Sequence, residues 1–288
     1  MIAKVNLRFL AALVTVAASF FACGAQAQNF IYGNSASSIP GAMYKIDAAT
    51  GVVVKTCPQS KGNGRGMVVV SNVVYFTVTS SGNIYKTNFN TCSDDGIAFA
   101  VPGASSLSTI AFDGTNFWIG DYAGSNKAFY VSPAGVLLNT VTLANCTGNC
   151  DGLEFFNGKL ISNRGDADTA GYDLYSTAGT LLTPAFIPAT GFGATGIAFD
   201  GTNLFVSDIF NQKLQVYNGT TGAFVKTVTI TGMTSPNNVL EDLSADYSIV
   251  LGPPTGPQIV PTLNEWKLIL LAGLLAVMAL VVLRRRRS

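Results

Sequence analysis

Through the middle of this 288-residue chain, apolar and polar positions alternate in short runs, the period expected of half-buried β-strands. The clearest stretch covers residues 196–230, which read as four short strand segments separated by turn signals, with weaker copies on both sides. Aligning the start of the first segment in each copy gives Gly66, Thr109, Gly152 and Gly196, at spacings of 43, 43 and 44. Ile-Ala-Phe-Asp-Gly-Thr-Asn occurs at both 110–116 and 197–203, and Phe156-Asn157-Gly158-Lys159 fills the same turn between them. Asp-Gly and Asn-Gly between apolar runs are hairpin signals, because glycine accepts φ > 0. Each second segment puts a large side chain at one phase: Tyr32, Tyr75, Trp118, Ile161 and Phe205. Third segments fall at 42–46, 82–87, 127–131, 172–176 and 213–217, and fourth segments at 52–56, 136–141, 180–182 and 223–230.

Four short strands per 40–45 residues is the blade period of a β-propeller. Residues 28–252 hold no sustained helical periodicity, which excludes helical solenoids. The expected fold is therefore all-β, a single β-propeller of four-stranded repeats. Its N-terminal end starts on a second segment, Phe30-Ile31-Tyr32, and Asn238-Val239-Leu240 near the other end supplies the missing first one. Together the two ends predict one composite blade that closes the ring, five blades in all, or six if residues 242–251 add a strand. Residues 196–208, Gly-Ile-Ala-Phe-Asp-Gly-Thr-Asn-Leu-Phe-Val-Ser-Asp, loosely resemble NHL-type propeller repeats. That resemblance implies fold and carries no function.

The two ends of the chain give an address. Residues 1–27 have Lys4 and Arg8, an apolar run over 9–22 and then Ala25-Gln26-Ala27, the pattern of a cleavable secretory signal. An N-terminal membrane anchor is the alternative, weakened by the short run and the cleavage site. Phe20-Phe21-Ala22-Cys23 is a poor lipidation site because Phe stands where small or branched aliphatic residues belong. At the other end, a Pro-rich linker and motif at 253–265 precede an apolar run, and residues 284–288 end the chain with four arginines. Residues 266–283 give ~27 Å of helix against a hydrocarbon core of ~30 Å, so a membrane helix with an inside basic tail is expected. Val260, Pro261, Thr262, Leu263, Glu265 and Trp266, followed by that run and the Arg cluster, resemble the IPTL-CTERM sorting signal of Gram-negative bacteria. Here Val260, Asn264 and Lys267 stand where the motif has Ile, Ser and Gly. The resemblance implies a sorting or processing enzyme as partner, and display at the cell surface or anchorage with a periplasmic ectodomain. An ordinary single-span anchor is the plainer reading.

Composition narrows the chemistry. Between the two ends lie 10 basic and 15 acidic residues, a net of −5 with no basic block, which argues against nucleic acid. There is no histidine, so the usual general base, the usual zinc ligand and Ser-His or Cys-His nucleophiles are excluded. Beyond the signal, four cysteines remain, and an even number in an exported domain favours disulfides. Cys146 and Cys150 close a short loop, which leaves Cys57 with Cys92; a metal or redox pair is the alternative.

Two polar sets and one set of large residues invite a chemical reading. Asp121, Arg164 and Asp208 share one phase after the second segment, with Ser35 and Val78 in the other copies, so they form a candidate ligand site at the channel. Turn residues capping their own backbone explain them equally. Asp166, Asp168 and Asp173 put three carboxylates within eight residues beside Gly171, a candidate calcium site and the sole cofactor expectation, with a solvated loop as the alternative. The large residues at the second-segment phase fit core between blades better than a carbohydrate platform. Three functions follow: a binding module for a protein or matrix polymer, a propeller hydrolase or lactonase on glycans or small esters, and a rigid spacer. Paired acids converging at the channel mouth would favour the enzyme, since glycoside chemistry needs two carboxylates ~5–9.5 Å apart.

Overall fold

Strand register fixes the repeat residue by residue. The large second-segment residues Tyr32, Tyr75, Trp118, Ile161 and Phe205 lie opposite Ser244, Val68, Ala111, Glu154 and Ala198. These pairings come from a computed structural model that describes residues 29–250 except 36–40, 63, 123, 147–150, 165–170, 189–190 and 235–238. The strands, in chain order, are β1 Phe30–Asn34, β2 Gly41–Asp47, β3 Val53–Gln59, β4 Met67–Val70, β5 Val73–Phe76, β6 Asn83–Asn88 and β7 Ser93–Ala100. Then come β8 Leu107–Phe112, β9 Phe117–Asp121, β10 Lys127–Val131, β11 Leu137–Thr142, β12 Leu153–Phe156, β13 Lys159–Asn163, β14 Tyr172–Tyr175 and β15 Leu181–Ile187. The last are β16 Ala194–Phe199, β17 Asn203–Asp208, β18 Lys213–Asn218, β19 Phe224–Thr229 and β20 Leu243–Ser244, followed by a helical turn, α1 Tyr247–Val250.

These strands form five antiparallel four-stranded sheets, ordered β20-β1-β2-β3, β4-β5-β6-β7, β8-β9-β10-β11, β12-β13-β14-β15 and β16-β17-β18-β19. The inner strands meet in a ring, β4 beside β8, then β12, β16, β20 and β4 again. This is a five-bladed β-propeller. The C-terminal strand completes the N-terminal blade, as the phase of the chain ends required. The closing residues differ from those expected: Leu243–Ser244 pair with Gly33 and Tyr32, whereas Val239 and Leu240 form no strand and Asn238 lies outside the described residues. Ser244 follows Ala198 by 46 residues where earlier copies repeat at 43 or 44, so a longer last connection moved the strand along. Leu243–Ser244 thus supply the closing strand, and the described residues form no sixth blade.

Closure is secured by side chains as well as by the two backbone pairs. Asp242 Oδ2 accepts the Met67 N–H at 2.8 Å, Ser244 Oγ the Val69 N–H at 2.9 Å, and Asp246 the Ser71 and Asn72 N–H groups at 3.0 and 3.2 Å. Alternate residues of the closing segment thus cap the open edge of β4 in the next blade.

The outer parts of the blades are joined at one recurrent place, the turn between third and fourth strands. Gly51, Gly135, Gly179 and Gly222 sit there at φ of 69° to 82°, against the outer strand of the preceding blade. A Cβ would come within 2.0 Å of Thr229 O at Gly51 and 1.9 Å of Phe186 O at Gly222, so glycine is required twice over. In the second blade that position is Cys92, at φ 58°, and it makes the contact covalently through the Cys57–Cys92 disulfide, with Cα atoms 5.2 Å apart. Cys146 is also disulfide-bonded, and its expected partner Cys150 lies outside the described residues.

Tyr32, Trp118, Ile161 and Phe205 are buried and Tyr75 is half-buried, all within the cores between blades. Packing accounts for them. The chain divides into two units, Met1–Pro253 and Pro254–Ser288. The expected signal at 1–27, the expected membrane helix at 266–283 and the basic tail lie outside the described residues, among which no helix is long and apolar enough to cross a membrane. Substituting Ser244→Ala leaves the Val69 amide without an acceptor, and urea unfolding should show a loss of about 1–3 kcal/mol.

Candidate functional site

One residue ahead of each repeat's glycine phase lies a second ring: Arg65, Ser108, Asp151, Thr195 and Glu241. Arg65, Asp151 and Glu241 sit two residues before the inner strands β4, β12 and β20, and Ser108 and Thr195 are the second residues of β8 and β16, at the mouth of the axis. The next phase holds Gly66, Thr109, Gly152, Gly196 and Asp242, and its glycines let neighbouring backbones approach closely. A Cβ on Gly152 would lie 1.9 Å from Thr195 O, and one on Gly196 2.5 Å from Asp242 Cα. Where a side chain is present, it bonds onward instead: Thr109 Oγ1 accepts the Leu153 N–H at 3.1 Å, as Asp242 does that of Met67.

The ends of the second strands brace this mouth. Asn34, Thr77, Asn163 and Ser207 are equivalent, and each accepts an amide of its own inner segment: Asp242, Gly66, Asp151 with Gly152, and Gly196 respectively. Each donates to a carbonyl of the next blade, at Gly64, Ser108, Ala194 and Glu241. Gly120 occupies this phase in the remaining blade. The ring positions are therefore rigidly held.

Within the ring, Arg65 gathers the charged groups. Its Nη1 donates to Asp151 Oδ2 at 2.8 Å and to Glu241 Oε1, its Nη2 donates to the Tyr122 hydroxyl at 2.6 Å, and its guanidinium lies 4.6 Å from the Tyr122 ring centre. Four blades contribute one residue each. The Asp151 and Glu241 side chains are 1% and 6% exposed while Arg65 is 22% exposed, so the cation faces solvent and the acids stand behind it. Both carboxylates are thus paired with one guanidinium rather than with a reacting group.

Two further carboxylates lie deeper. Asp242 is pushed well above the ordinary carboxylate range by burial, with Glu154 and Asp151 adding to the rise and the Met67 and Leu243 amides opposing it. Glu154 occupies a phase that is Val68, Ala111 and Ala198 in three other blades, and burial among them pushes it up to about 8. It accepts the Tyr247 hydroxyl of α1 and the Phe155 N–H, the latter at 2.6 Å.

Each of the described residues expected to form a site has a partner close by in its own blade. Asp121 accepts the Ser125 hydroxyl and Asp208 accepts the Asn211 carboxamide at 2.8 Å, each within its own turn. Arg164 makes a fork-shaped pair with Asp173, at 2.9 and 2.7 Å. Asp173 also accepts from Asn145 and the Ala185 N–H; burial raises its pKa, but Arg164 and these donors outweigh it and hold the carboxyl below its usual range. Asp166 and Asp168 lie outside the described residues, and among the described residues no cluster of three acids or cysteines is arranged to hold a metal.

The expected phase was three residues beyond the second-segment aromatic; the braces stand one residue earlier, and the charged ring stands one residue ahead of the glycines. Arg65, Asp151 and Glu241 could have been found by asking which charged residues share that phase. Glu241 escaped because the closing segment was assigned to 238–240.

Comparison with known proteins bears on the C-terminal segment and on the fold. The IPTL-CTERM motif matches residues 260–287, so the chain carries that sorting signal for export and surface or membrane anchorage in Gram-negative bacteria, acted on by a sorting or processing enzyme. No curated protein matches the chain. The crystal structure of Myxococcus xanthus glutaminyl cyclase is similar at TM-score 0.51 and 13% identity, covering 64% of this chain and 81% of that one. A nidogen/laminin complex structure gives TM-score 0.49 and 12% identity, covering 75% of this chain and 97% of that one. At such identities the likeness is one of fold alone.

Glu154 gives a pH test. Between its ordinary value of 4.5 and about 8 the folded chain holds a proton that the unfolded chain releases, so stability falls as pH rises through that window. Asp242 acts in the same direction. Urea midpoints should fall from about pH 5 to about pH 8, and Glu154→Gln should flatten that fall to the part owed to Asp242.

Proposed function

We propose that this protein is a surface-sorted binding module whose contact point is the axial mouth around Arg65 and Tyr122. The ectodomain recognises a protein or an extracellular polymer, and the C-terminal segment fixes it at the envelope. The observation that carries this reading is the pairing of Asp151 and Glu241 with Arg65. Two carboxylates do converge at the mouth, which is the geometry an enzyme would need. Yet one guanidinium bridges them and stands between them and solvent, so neither carboxylate is placed to take or give a proton to a substrate. What solvent meets is a cation flanked by an aromatic ring and a hydroxyl, held by four blades. Arg and Tyr in a fixed setting are the residue types that dominate recognition surfaces. The pairing also argues against a plain spacer, because a buried cluster of this kind is costly to assemble where only bulk is needed.

The likeness to glutaminyl cyclase, at the level of fold, supplies the competing activity to test. Full-length protein should be retained on arrays of glycans and peptides, and Arg65→Lys and Tyr122→Ala should each weaken retention about tenfold or more. Ammonia release from N-terminal glutaminyl peptides, or turnover of glycans or lactones, would replace this reading with an enzymatic one. Arg65→Ala strands two buried acids and should cost about 3–5 kcal/mol of stability, so the milder variants carry the binding test.

A further inference from the structure

Among the described residues every blade ends in an outer strand with no strand beyond it, and an open edge is a template for pairing with another chain. Four of the five edges carry a residue that disfavours such pairing. β3 has Lys55 and Pro58, β7 has Asp94 and Asp95, β15 has Pro184 and β19 has Lys226. β11 reads Leu-Leu-Asn-Thr-Val-Thr, with neither charge nor proline. With Val136 just ahead of it, β11 also opens on an exposed apolar run: Val136, Leu137 and Leu138 are 56%, 37% and 50% exposed.

We propose that β11 is a self-association edge, on which a second copy of this chain lays its own β11 antiparallel and joins two blades into one eight-stranded sheet. Charge selects this occupant. Two copies of a charged edge crowd like charges along one strand pair, which opposes self-pairing through the lysines of β3 and β19 and the aspartates of β7. At β11 nothing repels the copy, and no charge is present to recruit a charged partner. A two-fold axis normal to the sheet at Asn139 sets Leu137 against the partner's Val141 and Leu138 against the partner's Thr140. The Asn139 carboxamide now accepts the Thr140 N–H at 2.8 Å, and in the pair that amide passes to the second copy. The turn at Gly179 covers the Thr142 carbonyl, so the usable edge spans residues 136–141.

One strand pair buries less than the ~1,200–2,000 Å² of stable complexes. Crowding of anchored copies supplies the missing concentration, a point that rests on the sorting signal and not on the axial mouth.

Oxidative cross-linking of full-length protein in host membranes tests the proposal. Asn139→Cys should give a reducible dimer, while Val225→Cys, on the exposed edge of β19 with Lys226 kept, should give none. Adding Leu138→Lys to Asn139→Cys should lower the dimer fraction about tenfold or more. Absence of an Asn139→Cys dimer, equal cross-linking through Val225→Cys, or an adduct whose mass is not that of two chains would overturn it. Light scattering on the solubilised protein without added cysteines gives the second measure: concentration-dependent dimer for the unsubstituted chain and monomer for Leu138→Lys, with equal masses counting against the proposal.

Discussion

A ring of five sheets leaves one edge of every inner strand facing a neighbour with which it forms no regular ladder, and the amides on that edge are buried. Each must find an acceptor or cost the fold about 1–3 kcal/mol. Much of the centre of this molecule answers that demand. Thr109, Asp242, Ser244 and Asp246 accept amides from the following blade, while Asn34, Thr77, Asn163 and Ser207 accept from their own blade and donate to the next. Glycines take the other positions, where the backbones come too close for any side chain. The polar residues of the axis are first of all the hydrogen-bonding frame of the ring, and the Arg65 cluster is built at its rim.

The same constraint explains what could be read from the sequence. The 43-residue period, the turn glycines and the large second-strand residues report local conformation and burial, and these are properties of residue types in order. The closing strand was harder, because its pairing depends on where the chain returns to. Leu243–Ser244 is two residues long and polar at every second position, since its side chains serve β4 instead of filling core. β7 was hidden for a related reason: Asp94, Asp95 and Gly96 break the apolar alternation on an edge that water covers. At the site, Asp121, Arg164 and Asp208 looked alike by phase, but phase does not reveal that each has a partner within its own blade. The Arg65 cluster joins residues up to 176 positions apart, a convergence that closure of the ring creates.

The turn between third and fourth strands shows how one geometric need is met in two ways. Four blades use a left-handed glycine to bring the turn against its neighbour. The second blade pays the cost of a left-handed cysteine and turns the same contact into a covalent bond to β3. That bond ties the N-terminal blade to the blade after it, while the closing segment ties the same two blades at the axis. The seam next to the chain ends is therefore fastened at both its inner and outer radius.

The closing segment has a mechanical meaning as well. α1 ends at Val250, ten residues before Val260 opens the sorting motif. Along the chain, a pull from the C-terminal side enters the described residues through α1 and then β20. There it meets two backbone pairs to β1 and the side chains of Asp242, Ser244 and Asp246 clasping β4, so the load is divided between two blades from the first residue of contact. A ring fastened in this way carries its own strain relief: a pull on the closing segment draws first on the seam that is doubly secured, and reaches Glu241 of the mouth only beyond Asp242.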